Sequence, residues 1–258
     1  ASSSDATLVT MPEVYEFESG LAVDGLTAAL SRMTYGPTED LYSRVRMMGF
    51  QNYLDEQLNP GRIRDASFNA MNVDSYISNL PDNFNTVANA EMAHRMAHAA
   101  FSDKQLREMM GAFWSNHFHA STKDTRVYEQ NIVDRQFFRE NAFGNFEDLL
   151  LYSARSPLMS QFLDNDQSRV GRLNENYGRE ILELHTVGVD GGYSAEDVIE
   201  VSRVFTGWNF RRTNPSDQSI LHEYEFEFLP DRHDAEDKTI EFLGLTIAGR
   251  SGAAGVQE

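Results

Sequence analysis

The hydrophobic positions recur mostly at helical spacing. Leu26, Ala29, Leu30 and Met33 share one face before the break at Tyr35-Gly36-Pro37. Thr38 is placed to cap the next helix, and Glu39 and Asp40 suit its first turn, where the helix dipole favours negative charge. That helix is expected to run to Met48 and stop at Gly49. A short one follows from Phe50 to Leu58, ended by Asn59-Pro60-Gly61. Ser102-Asp-Lys-Gln105 has the form of a capping box opening the helix that carries Phe113 and Trp114. Ser194-Ala-Glu-Asp197 predicts another start, with Val198, Val201 and Phe205 on one face and an end near Gly207. Period two occurs at Tyr224-Glu-Phe-Glu-Phe228, which reads as a strand, with Thr239 to Leu243 as its expected partner and Asp231 to Asp237 as the connection. The expected fold class is therefore mainly α: an irregular multi-helix domain with a small β-hairpin near residues 223–244.

No internal repeat interrupts this pattern. Residues 1–18 lack a period and read as a tail, residues 19–247 as the helical domain, and the Gly/Ala-rich residues 248–258 as a linker to further helices outside this chain. The length of 258 residues allows one large domain or two small ones. Composition adds two constraints. A net charge of −18, with no run of Lys and Arg, argues against nucleic acid as a partner, because phosphates would be repelled. The absence of cysteine removes disulfides, thiolate metal sites and a cysteine nucleophile. No apolar run approaches the ~18 residues that would span a bilayer. The start Ala1-Ser-Ser-Ser-Asp5 matches what signal-peptide cleavage leaves, although a truncated chain begins the same way; the expected location is periplasmic or extracellular.

The densest candidate chemistry lies between Asn174 and Gly192. On a regular helix, at ~100° per residue, Asn176, Arg179, Glu180 and Glu183 share one face, with Tyr177, Ile181 and Leu184 on the other. Two carboxylates one turn apart, beside an Arg and an Asn, suit a divalent cation or acid–base work; an ion-paired helix face fits the same pattern. His185 projects to the apolar side of such a helix, in its last turn, where it can meet the terminal carbonyls. His117 aligns with Leu106, Met110 and Phe113 and reads as core-facing or pocket-lining, and on a helix it points away from His119. His233-Asp234 falls in the hairpin connection, where a turn explains Asp234 adequately. Trp208 reads as a core anchor.

Weaker patterns complete the set. Glu91, His94 and His98 share a helix face, a fragment of a di-metal carboxylate motif whose second copy is missing, and read as an exposed polar face. Asp164 to Glu175 imitates a calcium loop. However, Arg169 replaces the glycine that its turn requires, so an Asx-rich loop capping the next helix is the better reading. Gly-x-Ser-x-Gly, phosphate-binding glycine loops, the dinucleotide fingerprint and His-Glu-x-x-His are all missing.

Several phrases together resemble one family. They are SRMTYGP at 31–37, FQNYLDEQLNP at 50–60, FWSNHF at 113–118, FLDN at 162–165, LNENYGREILELHTVGVDGGYSAEDV at 173–198 and TGW at 206–208, followed by His233-Asp234, Lys238 and Leu243-Gly244. In this order, over residues 25–250, they resemble the bacterial family known as domain of unknown function eighteen hundred. The resemblance implies an exported, mostly helical protein, often encoded beside sulfatase-like exported proteins, whose domain continues past Gly244. It carries no catalytic residues over. The matching positions are Asn116, His117, Asp164, Asn165, Asn174, Glu175, Asn176, Arg179, Glu180, Glu183, His185, Asp190, His233 and Asp234; His119 and Asp166 depart from the pattern.

Two functions follow as expectations. In the first, the chain is a hydrolase or lyase acting on an extracellular polymer. Its catalytic groups would be Glu180, Glu183, His117, Arg179 and His233, and a divalent metal ion, as the candidate cofactor, would be held by Glu180, Glu183, His185 and Asp234. In the alternative, it is a non-catalytic structural or accessory subunit among other exported proteins, and the polar segment is a satisfied internal network. Convergence of His117, Glu180, Glu183 and His233 on one open cleft would favour the first reading, and dispersal the second.

Overall fold

The computed structural model describes residues 14–16, 22–71, 84–123, 125–213 and 223–249. The fold is mainly α, with small antiparallel hairpins. β1 (Val14–Glu16), at the end of the stretch read as a tail, pairs with β2 (Ala22–Asp24) in the domain that follows. Asp24 ends β2 and caps α1 (Gly25–Met33), its Oδ1 accepting from Leu26 N and Thr27 N. α2 (Glu39–Met48) begins on the Thr38 cap and ends at Gly49, whose φ of 86° is in the region that glycine adopts without strain. α3 (Phe50–Gln57) turns back so that Leu30, Val45 and Tyr53 form a small core.

α4 (Ala66–Met71), α5 (Phe84–Phe101), α6 (Gln105–His117) and α7 (Gln130–Glu140) follow. The capping box expected at Ser102 does not form. Its hydroxyl is instead 2.7 Å from Asp65 Oδ2 and 3.2 Å from Glu108 Oε1, and α6 starts without a side-chain cap. The same hydroxyl accepts from Lys104 N at 3.2 Å, one residue short of the amide that a capping box would use. α6 and α7 approach closely at Gly111, where an added Cβ would lie 2.8 Å from Arg139 Cα.

α8 (Phe146–Arg155) and α9 (Pro157–Phe162) bring Leu149, Leu158 and Met159 onto Phe118, Phe138, Tyr177 and Trp208, forming the main core. α10 (Asn176–Glu180) runs directly into a π-helical turn, Ile181–His185. α11 (Ala195–Val204) opens with the expected capping box of Ser194 and Asp197. Trp208 is the buried anchor expected, between Phe205 and Phe226.

The predicted strand at Tyr224–Phe228 exists, as β4, but its partner is β3 (Trp208–Arg212), not Thr239 to Leu243. Thr239 instead belongs to β5 (Lys238–Ile240), which pairs with β6 (Leu245–Ile247). β3 carries its aromatic positions, Trp208 and Phe210, opposite Phe228 and Phe226. That match selects it over the less aromatic 239–243 segment.

Candidate functional site

Asn174 Oδ1 accepts from Asn176 N at 2.9 Å, an Asx turn leading into α10, while Glu175 at the helix cap makes no side-chain capping bond. The helix beyond is not regular. In the π turn each residue advances less about the axis than in an α-helix, and side chains drift from their expected faces. Leu184, placed with Tyr177 and Ile181 on the apolar side, is instead 63 % exposed. The turn closes through Gly188 N to Leu182 O at 2.9 Å and Thr186 Oγ1 to Ile181 O at 2.5 Å.

The π turn also presents the His185 carbonyl to α6. His117 Nε2 donates to it at 3.0 Å, so that nitrogen carries a proton. The His185 ring itself is buried against Phe118, with its centroid 6.1 Å from that of His117. Burial, and then the His117 charge, push its pKa down to about 4, so it is neutral at physiological pH. His117 is surrounded by Phe113, Trp114 and Phe146. Asn116 and His119 are exposed.

Glu180 and Glu183 are half-buried neighbours; burial raises the Glu180 pKa and the Glu183 charge raises it further. Arg179 does not clamp them. It is exposed and pairs with Glu175 at 3.2 Å.

His233 and Asp234 belong to a separate network. His233 Nδ1 donates to Thr206 O at 2.8 Å, which leaves Nε2 to accept from the buried Lys238 Nζ at 3.4 Å. Lys238 Nζ also donates to Asp234 O at 2.5 Å. Arg203 holds Asp234 through two bonds, of 2.8 and 3.1 Å, and Glu200 through Nη1. The Arg203 bond outweighs burial and lowers the Asp234 pKa. Gly207 permits this packing, since a Cβ there would meet Leu229 O at 2.7 Å and His233 N at 3.0 Å.

The expected metal set of Glu180, Glu183, His185 and Asp234 is therefore not assembled. Among the described residues no three His, Asp or Glu side chains converge to hold a metal ion. The five expected catalytic groups also divide: His117 is spent on a backbone carbonyl, Arg179 on Glu175, and His233 is sealed beneath Lys238, while Glu180 and Glu183 remain a carboxylate pair.

Glu91, His94 and His98 are not the exposed face read from the sequence. His98 is buried against Phe68, with ring centroids 4.2 Å apart, and its Nε2 lies 3.0 Å from that of His94. The face lines a cleft of about 360 Å³ between α5, α6 and α7. Across it, Glu108 is buried and ionised. Burial pushes its pKa up, but His98, Arg139 and Arg107 together reverse this and hold it well below the usual carboxylate range. Arg139 Nε donates to it at 2.6 Å and Arg107 Nη2 at 2.8 Å. The sequence signal for this cleft is the pair Arg135 and Arg139, one turn apart on a helix that faces another carrying Glu108.

The fold and these networks define a mainly helical protein with two buried ionic networks, one helix–π-turn segment and one polar-walled cleft. Residues 28–258 match the model of the family described as Protein of unknown function (DUF1800), and the chain belongs to that family. No curated protein and no solved structure matches it.

Proposed function

We propose that the chain is an exported, non-catalytic accessory subunit of a cell-surface or extracellular assembly. The dispersal of the candidate groups carries this reading: the imidazole of His233 and the carboxylate of Asp234 are consumed by Lys238, Thr206 and Arg203, while His117 serves the π turn. Side chains used in this way act as a polar core, which specifies one packing. Phe113, Phe143, Phe146 and Leu184, all exposed large apolar side chains, suit contact with another protein. A cysteine-free chain is also free of oxidisable thiols outside the cytosol.

One observation favours a second reading. The raised pKa of Glu180 beside Glu183 is what a general acid requires, and it supports a hydrolase or lyase acting on an extracellular polymer, with or without a divalent metal ion. Glu180→Gln and Glu183→Gln separate the two readings. Under the accessory reading, the wild-type chain releases no product from cell-wall or extracellular polysaccharide preparations, with or without added divalent metal. Both variants then keep its fold, with stability within about 0.5 kcal/mol. Turnover that either variant abolishes while retaining the wild-type circular dichroism spectrum would overturn it.

A further inference from the structure

The cleft between α5, α6 and α7 is separate from the segment discussed above, and its chemistry points to a ligand. Three guanidiniums, Arg95, Arg135 and Arg139, line it against two carboxylates, Glu91 and Glu108. In a chain of net charge −18 this is a local excess of positive charge. The two inner arginines are partly buried, with side chains 19 % and 20 % exposed. Each meets its carboxylate through Nε: Arg135 Nε lies 2.7 Å from Glu91 Oε1 as an ion pair, and Arg139 Nε donates to Glu108 Oε2 at 2.6 Å. Among the described residues, no terminal amino group of either is hydrogen-bonded to these carboxylates. Four terminal amino groups on two pre-positioned forks thus remain to donate to an oxyanion. Burial lowers the Arg135 pKa and the nearby Arg95 charge adds to this against Glu91, a strain on the cation that a bound anion relieves.

The rest of the wall is apolar. Met92 and Met96 are 57 % and 65 % exposed, which is unusual for methionine outside a binding surface, and Ile132 closes the floor. The volume is at the lower end of the ~300–1,000 Å³ typical of small-molecule sites. Inorganic phosphate would leave the methionine side unfilled, and a metal cation would meet three guanidiniums. We propose that this cleft binds a small organic carboxylate, its charged end on Arg135 and Arg139 and its apolar body against Met92, Met96 and Ile132. Ligand binding here goes beyond the accessory reading and does not depend on it, because the measurement is affinity and not turnover.

Isothermal titration with octanoate, n-octanol, acetate and inorganic phosphate tests it. Octanoate is expected to bind saturably and at least roughly tenfold more tightly than the other three, the difference one charge-assisted contact supplies. Arg135→Met and Met96→Glu should each weaken octanoate by about tenfold or more. The exposure of Met96 keeps the second variant folded even where loss of Arg135 is not tolerated. Octanoate binding no tighter than n-octanol, acetate or phosphate would overturn the proposal. So would an octanoate affinity that Met96→Glu leaves unchanged.

Discussion

Gly178 sits in the middle of the densest polar segment, where a reader of the sequence would look for chemistry, yet its role is packing. α10 crosses α11 at this residue. A Cβ at Gly178 would overlap Ser202 Oγ and lie 2.9 Å from Ser202 N and 3.0 Å from Ser202 Cα. Carbon contacts are comfortable at ~3.5–4.0 Å, so the helices must separate by ~0.5 Å or more. Overpacking of this kind costs ~1–3 kcal/mol. Displacing Ser202 Oγ also loosens its 2.7 Å bond to Val198 O, which contributes ~1 kcal/mol. Alanine's better helix propensity returns ~1 kcal/mol. Gly178→Ala should therefore lower the unfolding free energy by ~1–3 kcal/mol, read by urea denaturation. Gly61→Ala, where no atom lies within 4 Å of the added Cβ, is the control and should stay within ~0.5 kcal/mol. Adding Ser202→Gly to Gly178→Ala should recover only part of the loss, because the backbone contacts remain. A Gly178→Ala protein as stable as wild type would refute the close crossing of α10 and α11.

Two further perturbations probe the buried networks. Burial pushes Asp134 up to about 6, against the bonds from Ser156, Gln130 and Tyr152. A carboxyl whose folded pKa exceeds its unfolded value holds its proton more tightly when folded. The cost of ionising it is thus absent below about pH 4 and fully present above about pH 6. Relative to Asp134→Asn, wild type should lose ~3 kcal/mol between those limits, and parallel pH profiles of urea stability would contradict this. Arg203→Ala strips partners from Asp234 and Glu200 and should cost ~2–4 kcal/mol in the same assay, with Arg203→Lys restoring less than half because lysine cannot reproduce the bidentate geometry. A loss below ~1 kcal/mol would make this cluster a surface ornament.

What was legible in the sequence was what neighbours along the chain decide. Thr38, Gly49 and the Ser194–Asp197 box each act within one turn of helix, and each stands where periodicity put it. Ser102 carries the same local signal, yet its hydroxyl donates to Asp65, distant in sequence, and the helix takes Lys104, two residues later, as its N-cap. The alternation of Tyr224–Phe228 announced a strand, but pairing is a non-local choice, and Trp208–Arg212 follows a helix too closely to show a period of its own. The π turn has no local marker in Ile181–His185. It becomes visible only with His117 in place to donate to the carbonyl it exposes, and without it the helical projection misplaced Leu184. The Glu91–His94–His98 face was seen, but its meaning depends on Glu108, Arg135 and Arg139 from two other helices, which no single-helix projection can supply.

Charge stoichiometry separates the two kinds of polar cluster. The chain has 40 acidic residues and 22 Lys plus Arg, so an interior cation has no shortage of carboxylates to choose from. Arg203 takes three, Glu200, Asp234 and Glu236, and so spends its fork on the protein. Lys238, fully buried, is likewise committed to the Asp234 carbonyl and the His233 ring. These are the cations of the His233–Asp234 network, and their saturation is what supports the proposed reading of that network as polar core. Arg139 and Arg135 have one carboxylate each, met through Nε, despite the same surplus of acid. A partly buried guanidinium left with donors to spare in so acidic a chain is costly in the free protein, since desolvation is incompletely offset. A ligand oxyanion offsets that cost, whereas a third internal acid would have removed the site. By this measure the cation that the protein saturates is structural and the cation it leaves half-satisfied is the one the proposed carboxylate would engage, which puts Arg203 and Arg135 on opposite sides of that line.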